Sequence, residues 1–300
     1  VRAQILQLGA TTPTLALVRF TTTVEPLQGE RLTIRLVDPV TSLDVLQVYA
    51  EDGRFLATAS RSSTDPTGRT FVAPLSAQTF SIPKGQEASL YVRGILRSFT
   101  QGGVSGEVLD LDTITLEATG AWSTSPYIVS STESLPASQT ARGALSLVRS
   151  LEENMQSLNT GTNQLLWDFE VAGVVSDGEA RLSIVDLLFS LSAQNVSLTN
   201  VRVQAADGSA SVPCTMTTNT VTCQGIGTVL GAIPTNGSQR LRIYGDILVV
   251  GTPTFAYVQL SLNEPGSVTF PGAISWTDGT GAFSWLSIDG PIAVGPRRSL

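Results

Sequence analysis

Among its 300 residues the chain has no histidine and one lysine, Lys84. The missing imidazole removes the commonest general base, the usual partner of a nucleophilic serine or cysteine, and the commonest metal ligand. Ser-His-Asp hydrolysis and histidine-ligated zinc chemistry are excluded. No run of 18 or more apolar residues occurs, so no transmembrane helix is expected. There is no basic-then-apolar leader, and the sequence starts at Val1 rather than Met, which fits an export signal already removed. Charged residues make up only 14% of the chain and the net charge is −7, so no cationic surface is available to phosphates or to an anionic membrane. Nucleic acid is not an expected partner.

What the chain does contain is 42% hydrophobic residues, with Thr, Ser, Val, Gly and Leu recurring in short runs. That is a β-rich composition with enough apolar surface to fold. Its length is about twice a typical domain of roughly 100 to 150 residues, which predicts two domains.

The two halves match in order. Leu46-Gln-Val-Tyr-Ala-Glu-Asp-Gly53 is repeated as Val201-Arg-Val-Gln-Ala-Ala-Asp-Gly208, a shift of 155 residues. Phe80-Ser-Ile-Pro-Lys-Gly through Ile95 is repeated as Gly231-Ala-Ile-Pro-Thr-Asn through Asp246, a shift of 151, and Ala16–Phe20 matches Leu165–Phe169 at 149. A duplication with small insertions explains the drift. Within each half, alternating runs such as Arg31–Val37, Ser89–Arg93, Thr113–Glu117 and Thr254–Leu262 read as half-buried strands. Asp52-Gly53 and Asp207-Gly208 read as hairpin turns. The expected fold is all-β, two tandem immunoglobulin-like antiparallel β-sandwiches: residues 1–125, a Ser/Thr/Pro-rich linker at 126–140 that also has room for an outer strand, and residues 141–300 with extra C-terminal strands. From Leu145 to Leu158 the apolar spacing suits a short helix or an interrupted strand, and repeat logic favours the strand.

Cys214 and Cys223 flank Thr-Met-Thr-Thr-Asn-Thr-Val-Thr, two short β-like runs around a polar centre. With Thr218 and Asn219 at the tip, 217 faces 220 and 214 faces 223. Counting outward from the tip puts the cysteines in a non-hydrogen-bonded pair, where Cα atoms approach to about 4.5 Å, inside the roughly 4.4–6.8 Å range of disulfides. A disulfide and an oxidising compartment are expected. The order Cys, polar turn, Thr-Val-Thr-Cys, Ile226-Gly-Thr-Val-Leu, then Pro-Thr-Asn-Gly-Ser before an alternating strand resembles the immunoglobulin-like repeat modules of prokaryotic cell-surface proteins. The resemblance implies an exported sandwich used as a stalk, adhesin, surface-layer or filament subunit. The first repeat lacks both cysteines.

Carboxylate pairs at Asp168/Glu170 and Asp110/Asp112 read as surface positions rather than an acid–base pair. Asp52, Asp207, Asp278 and Asp289 sit in turns without the spacing of a calcium loop. No catalytic residue, metal or cofactor is expected, nor an enzyme. Asn195-Val-Ser and Asn236-Gly-Ser match the glycosylation pattern. The C-terminal aromatics Trp276, Phe283 and Trp285 could complete a core, stack on sugars, or belong to a strand donated to a neighbour. The donor candidates are Ala3, Ile5, Leu6 and Leu8 at one end and Phe283, Trp285 and Ile288 at the other. The expected function is a subunit of an extracellular filament or surface layer, polymerising head to tail with copies of itself by strand exchange. The rival readings are an adhesin or carbohydrate-binding surface module and, less favoured, a polysaccharide-active enzyme.

Overall fold

The computed structural model describes residues 2–131, 136–176, 178, 180–288 and 290–300. The chain divides into two compact units, Val1–Ala141 and Arg142–Leu300.

In the first unit the chain runs through β1 (Ile5–Gln7), β2 (Ala16–Thr21), β3 (Leu27–Leu36), β4 (Leu43–Ala50), β5 (Phe55–Arg61) and β6 (Thr70–Pro74). It continues through β7 (Ser81–Ile82), β8 (Glu87–Leu96), β9 (Val108–Leu109), β10 (Leu111–Gly120), β11 (Pro126–Ser131) and β12 (Ser138–Ala141). The main spatial order is β11-β10-β3-β6-β5-β4-β8-β2. Strand β5 pairs with β4 through Leu46↔Ala59 and then with β6 through Ser60↔Val72, so it passes from one layer to the other. Alternation buries Ala16, Val18 and Phe20 of β2, and Leu90 and Val92 of β8, on the inner face. They join Leu32, Ile34, Phe71 and Leu116 of the opposite layer in one apolar cluster. Each such side chain contributes roughly 1.5–3 kcal/mol on leaving water.

The second unit comprises β13 (Gly143–Ser150), β14 (Met155–Ser157), β15 (Gly161–Val175), β16 (Ser183–Gln194), β17 (Val196–Ala205), β18 (Ser211–Met216) and β19 (Thr220–Gln224). A single-turn helix, α1 (Ile226–Leu230), precedes β20 (Ser238–Val249) and β21 (Tyr257–Leu262). Four short strands close the unit: β22 (Ile274–Thr277), β23 (Ala282–Phe283), β24 (Ala293–Val294) and β25 (Arg297–Ser299). Trp167 and Phe169 of β15 meet Phe189 of β16 at ring distances of 6.0 and 6.2 Å, which fills the space between the layers.

The duplication is structural as well as textual. The order β15-β20-β17-β18-β19-β16-β21 repeats β2-β8-β4-β5-β6-β3-β10 strand for strand. Both hairpins marked Asp-Gly turn there, with Gly53 and Gly208 at φ +82° and +76° and each Asp carboxylate accepting from the amide two residues on. The all-β sandwich class is as expected. Among the described residues two pairings depart from the antiparallel rule: β1 runs parallel to β12, and β14 parallel to β25.

The segment 126–140 departs from the linker reading. β11 extends the first unit's sheet beside β10, and β12 pairs with β1 and β9. Its Thr and Ser residues suit a half-exposed edge strand, which composition alone does not separate from a linker. Residues 132–135 of that segment lie outside the described residues. From Leu145 to Leu158 the chain is an interrupted strand, in β13 up to Ser150 and in β14 over Met155–Ser157.

Candidate functional site

The layer-crossing hairpin of each unit is built on the same frame and fastened differently. In the second unit β18 pairs with β17 through Arg202↔Pro213, then leaves it for β19 at Cys214↔Cys223. The two cysteines are bonded, with Cα atoms 4.3 Å apart, and the tip closes by Thr217 N–H donating to Thr220 O at 2.9 Å. In the first unit, continuing the Ser60↔Val72 register places Ala59 opposite Ala73, both fully buried, where the cysteines stand in the second. The longer loop there is held by Asp65, whose carboxylate accepts from the amides of Thr67, Arg69 and Thr70. Hydrogen bonds from Thr67 and Thr70 hold that carboxyl well below the usual range, against the opposing effect of burial. Arg61 then reaches across to donate to the carbonyls of Val40 and Leu43.

The expected donor residues lie in their own units. Ile5, Leu6 and Gln7 pair with Gln139, Thr140 and Ala141, and Leu6 and Leu8 are 1% and 2% exposed. Ala3, just ahead of β1, is half-buried. Phe283 pairs with Trp276 and stacks on it at 4.1 Å, Trp285 is 2% exposed, and Ile288 is half-buried. The indole N–H of Trp276 donates to Trp285 O at 2.9 Å. Among the described residues the candidate donor segments pair or bury within their own units, and the C-terminal aromatics are core rather than a sugar platform. Burial of their large apolar faces outweighs exposure.

Asp168, expected at a solvated surface, is buried beneath two arginines. It accepts from Arg240 at 2.8 and 2.5 Å and from Arg242 at 3.0 Å. Burial pushes its carboxyl up, but these hydrogen bonds outweigh it and hold the group below the ordinary range. Glu170 is paired with Arg149 at 2.7 Å, and Asp112 with Arg35 at 3.6 Å. Asp110 is half-buried; burial, then the charges of Asp112 and Asp38, push its carboxyl up. Glu152 fastens the C-terminal strand by accepting from Arg298 at 2.5 Å, while Arg298 also donates to Leu166 O at 3.0 Å.

The turn aspartates serve the backbone. Asp278 accepts from the amides of Thr280, Gly281 and Arg142 at 3.0, 2.7 and 2.8 Å. Asp289 lies outside the described residues. No cluster of three potential ligands suitable for a metal occurs among the described residues. Asn195 and Asn236 are exposed at positive φ; the Asn195 amide donates to Phe255 O, and the Asn236 side-chain oxygen accepts from Val175 N–H.

Two features escape a sequence reading. Glu25 is only 3% exposed and accepts from the amides of Trp122 and Ser123 and from the hydroxyls of Ser123 and Tyr127. The Ser123 hydroxyl leads, against burial, in lowering its carboxyl from 4.5 to about 2. Nothing in the spacing around Glu25 marks a buried acid. On the outer face of the first unit, Leu17, Tyr91, Tyr49 and Phe55 lie in one row across four strands. Arg93 sits over the Tyr49 ring at 5.2 Å. Tyr49 and Tyr91 fall on the polar phase of their strands, the one signal that could have found them.

No family model and no curated protein matches the chain. Among solved structures it is similar to the C-terminal domain of the Streptococcus agalactiae antigen I/II polypeptide BspA, with 8% identity over 97% of this chain and 95% of that one, TM-score 0.26. The C-terminal domain of the Streptococcus pyogenes antigen I/II-family protein AspA matches at 10% identity over 87% and 90%, TM-score 0.27. The collagen adhesin of S. aureus matches at 8% over 100% and 97%, TM-score 0.20. At such identities and scores the likeness assigns neither a role nor a site to this chain.

Proposed function

We propose that the chain is a structural subunit of an extracellular filament or surface layer, assembled from copies of itself. The carrying observation is the duplicated sandwich whose layer-crossing hairpin is closed covalently at Cys214–Cys223. A disulfide persists in an oxidising compartment, which supports export, and a loop this short stabilises by roughly 2–3 kcal/mol on the chain-entropy model. The polar side chains described above also act on the fold: Glu25 pins a turn, Asp168 locks two strands, and Asp278 ties a loop to residue 142. Negative-stain electron microscopy of the native material tests this reading. Filaments or a lattice are expected; monodisperse monomers at every concentration overturn it.

An adhesin or carbohydrate-binding role without polymerisation is the second reading. It is favoured by Trp122, 67% exposed with the Lys84 ammonium 5.2 Å from its ring centre. Glycan-array binding lost in Trp122→Ala, together with an absence of polymer, would select it.

A further inference from the structure

The two units differ at one strand edge. Where β5 leaves β4, the exposed edge of β4 is covered by Arg61, which donates to the carbonyls of Val40 and Leu43. Where β18 leaves β17, the register places Met216 at the position of Arg61: Met216 pairs with Val221 as Arg61 pairs with Phe71. A thioether donates no hydrogen bond. Among the described residues, β17 is paired with β18 only over Arg202–Gln204, so Val196–Val201 has β20 on one side and no strand on the other. A groove runs along this open edge, walled by Leu198, Val201, Pro213, Cys214 and Met216, with Arg202 at the end where β18 begins to pair. Proteins ordinarily protect such an edge with charge, cover or distortion. Val196–Val201 carries no charge, and its protection is the register irregularity between Thr199 and Arg202.

We infer that this edge receives strand β11 of a second copy, joining a first unit to the second unit of the neighbour by main-chain hydrogen bonds. The inference rests on the filament reading and replaces the terminal strands as its joint. Three observations choose β11. Among the described residues it ends its sheet, paired with β10 alone. It spans six residues, the length of Val196–Val201, and is uncharged; the end strands β2 and β13 carry Arg19 and Arg149, and the end strands β1, β9 and β14 are only two or three residues long. Its Ile128 is 74% exposed, an apolar side chain that the groove would bury. In a chain of net charge −7, two uncharged edges meet without self-repulsion. The surfaces are different, so the contact is heterologous and need not close, which yields a fibre rather than a dimer.

The test uses the full chain and an acetylated, amidated peptide of Ser125–Ser131. Fluorescence anisotropy of the labelled peptide reads binding, and amide exchange reads protection at residues 196–201. Saturable binding with protection there is expected. Met216→Arg, which restores the cover seen in the first unit, is expected to weaken binding at least tenfold while the disulfide and circular dichroism stay unchanged. Ile128→Lys in the full chain, and the same change in the peptide, is expected to weaken assembly and peptide binding alike. If the wild type assembles and both variants assemble equally well, the edge is wrong and the filament reading stands. If the wild type stays monomeric yet the peptide protects 196–201, the edge is right and the filament reading fails. A peptide that does not bind, or protects another strand, overturns the inference.

Discussion

The Ser60↔Val72 register, continued by one residue, sets Ala59 and Ala73 of the first unit where Cys214 and Cys223 stand in the second, both alanines fully buried. Ala59→Cys with Ala73→Cys is therefore expected to form a second disulfide under oxidising conditions. Non-reducing peptide mapping should find the 59–73 link, and two free thiols would show that the frames differ. Removing the native pair with Cys214→Ala and Cys223→Ala should cost the second unit roughly 2–3 kcal/mol, read as a lower urea midpoint.

Glu25 makes the first unit acid-sensitive. Its carboxyl titrates at about 2 when folded, against 4.5 ordinarily, so the stability it contributes is fully present above about pH 4.5 and is lost as pH falls toward 2. Glu25→Gln should lower the denaturation midpoint at neutral pH and flatten its fall below pH 4.5. Parallel profiles for wild type and variant between pH 2 and 7 would contradict this assignment.

Asp168 sets a comparable dependence in the second unit. Its folded carboxyl is held below the ordinary value of about 3.9, so its contribution holds above that pH and declines as acid titrates the folded group. Asp168→Asn leaves Arg240 and Arg242 without their charge partner. Arg240 is half-exposed, so the expected cost is roughly 1–3 kcal/mol at pH 7, below that of a fully buried pair. The double variant with Arg240→Gln should recover part of it in a double-mutant cycle.

Much of this architecture is legible in the sequence. The matched Asp-Gly turns and alternating runs give the duplication, because turn chemistry and period-two patterning are local. The Cys214–Cys223 register also follows from counting outward from a hairpin tip. What stayed hidden is non-local. Ser and Thr around Pro126 are compatible with linker or edge strand, and only the neighbour β10 decides. Asp168 looks solvated until Arg240 and Arg242, over seventy residues later, close over it. The terminal runs at Ile5–Leu8 and Phe283–Ile288 alternate like donor strands, but the same pattern serves a strand at home, and sequence does not name its partner.

Gly94 and Gly245 are the same position of the repeat, and a side chain added at either would meet two leucines of its own unit. A Cβ on Gly94 would come within 2.9 Å of Leu43 Cδ1 and 3.4 Å of Leu15 Cδ1; on Gly245 it would come within 2.9 Å of Leu198 Cδ1 and 3.1 Å of Leu166 Cδ1. The leucine methyls can yield a little, so Gly94→Ala and Gly245→Ala should each cost about 1–2 kcal/mol rather than abolish folding. Gly245 is the tighter of the two and should cost more. Thermal denaturation of the two variants side by side checks the order.

The chain ends give the sharpest contrast between a donated strand and a strand kept at home. A donated strand can be deleted and leave its own unit folded with assembly lost. Here, deleting residues 1–8 removes the buried Leu6 and Leu8, the pairing of β1 with β12, and the bond from Leu8 N–H to Ala141 O. Two leucines at roughly 1.5–3 kcal/mol each make the expected loss about 3–6 kcal/mol, a large part of a domain's stability. Deleting residues 283–300 strips Phe283, Trp285, Leu286 and Arg298 from the second unit and should cost more still. Limited proteolysis and urea denaturation of each truncated protein check this. Truncated chains as stable as the full-length protein would return the terminal segments to the role of exchanged strands.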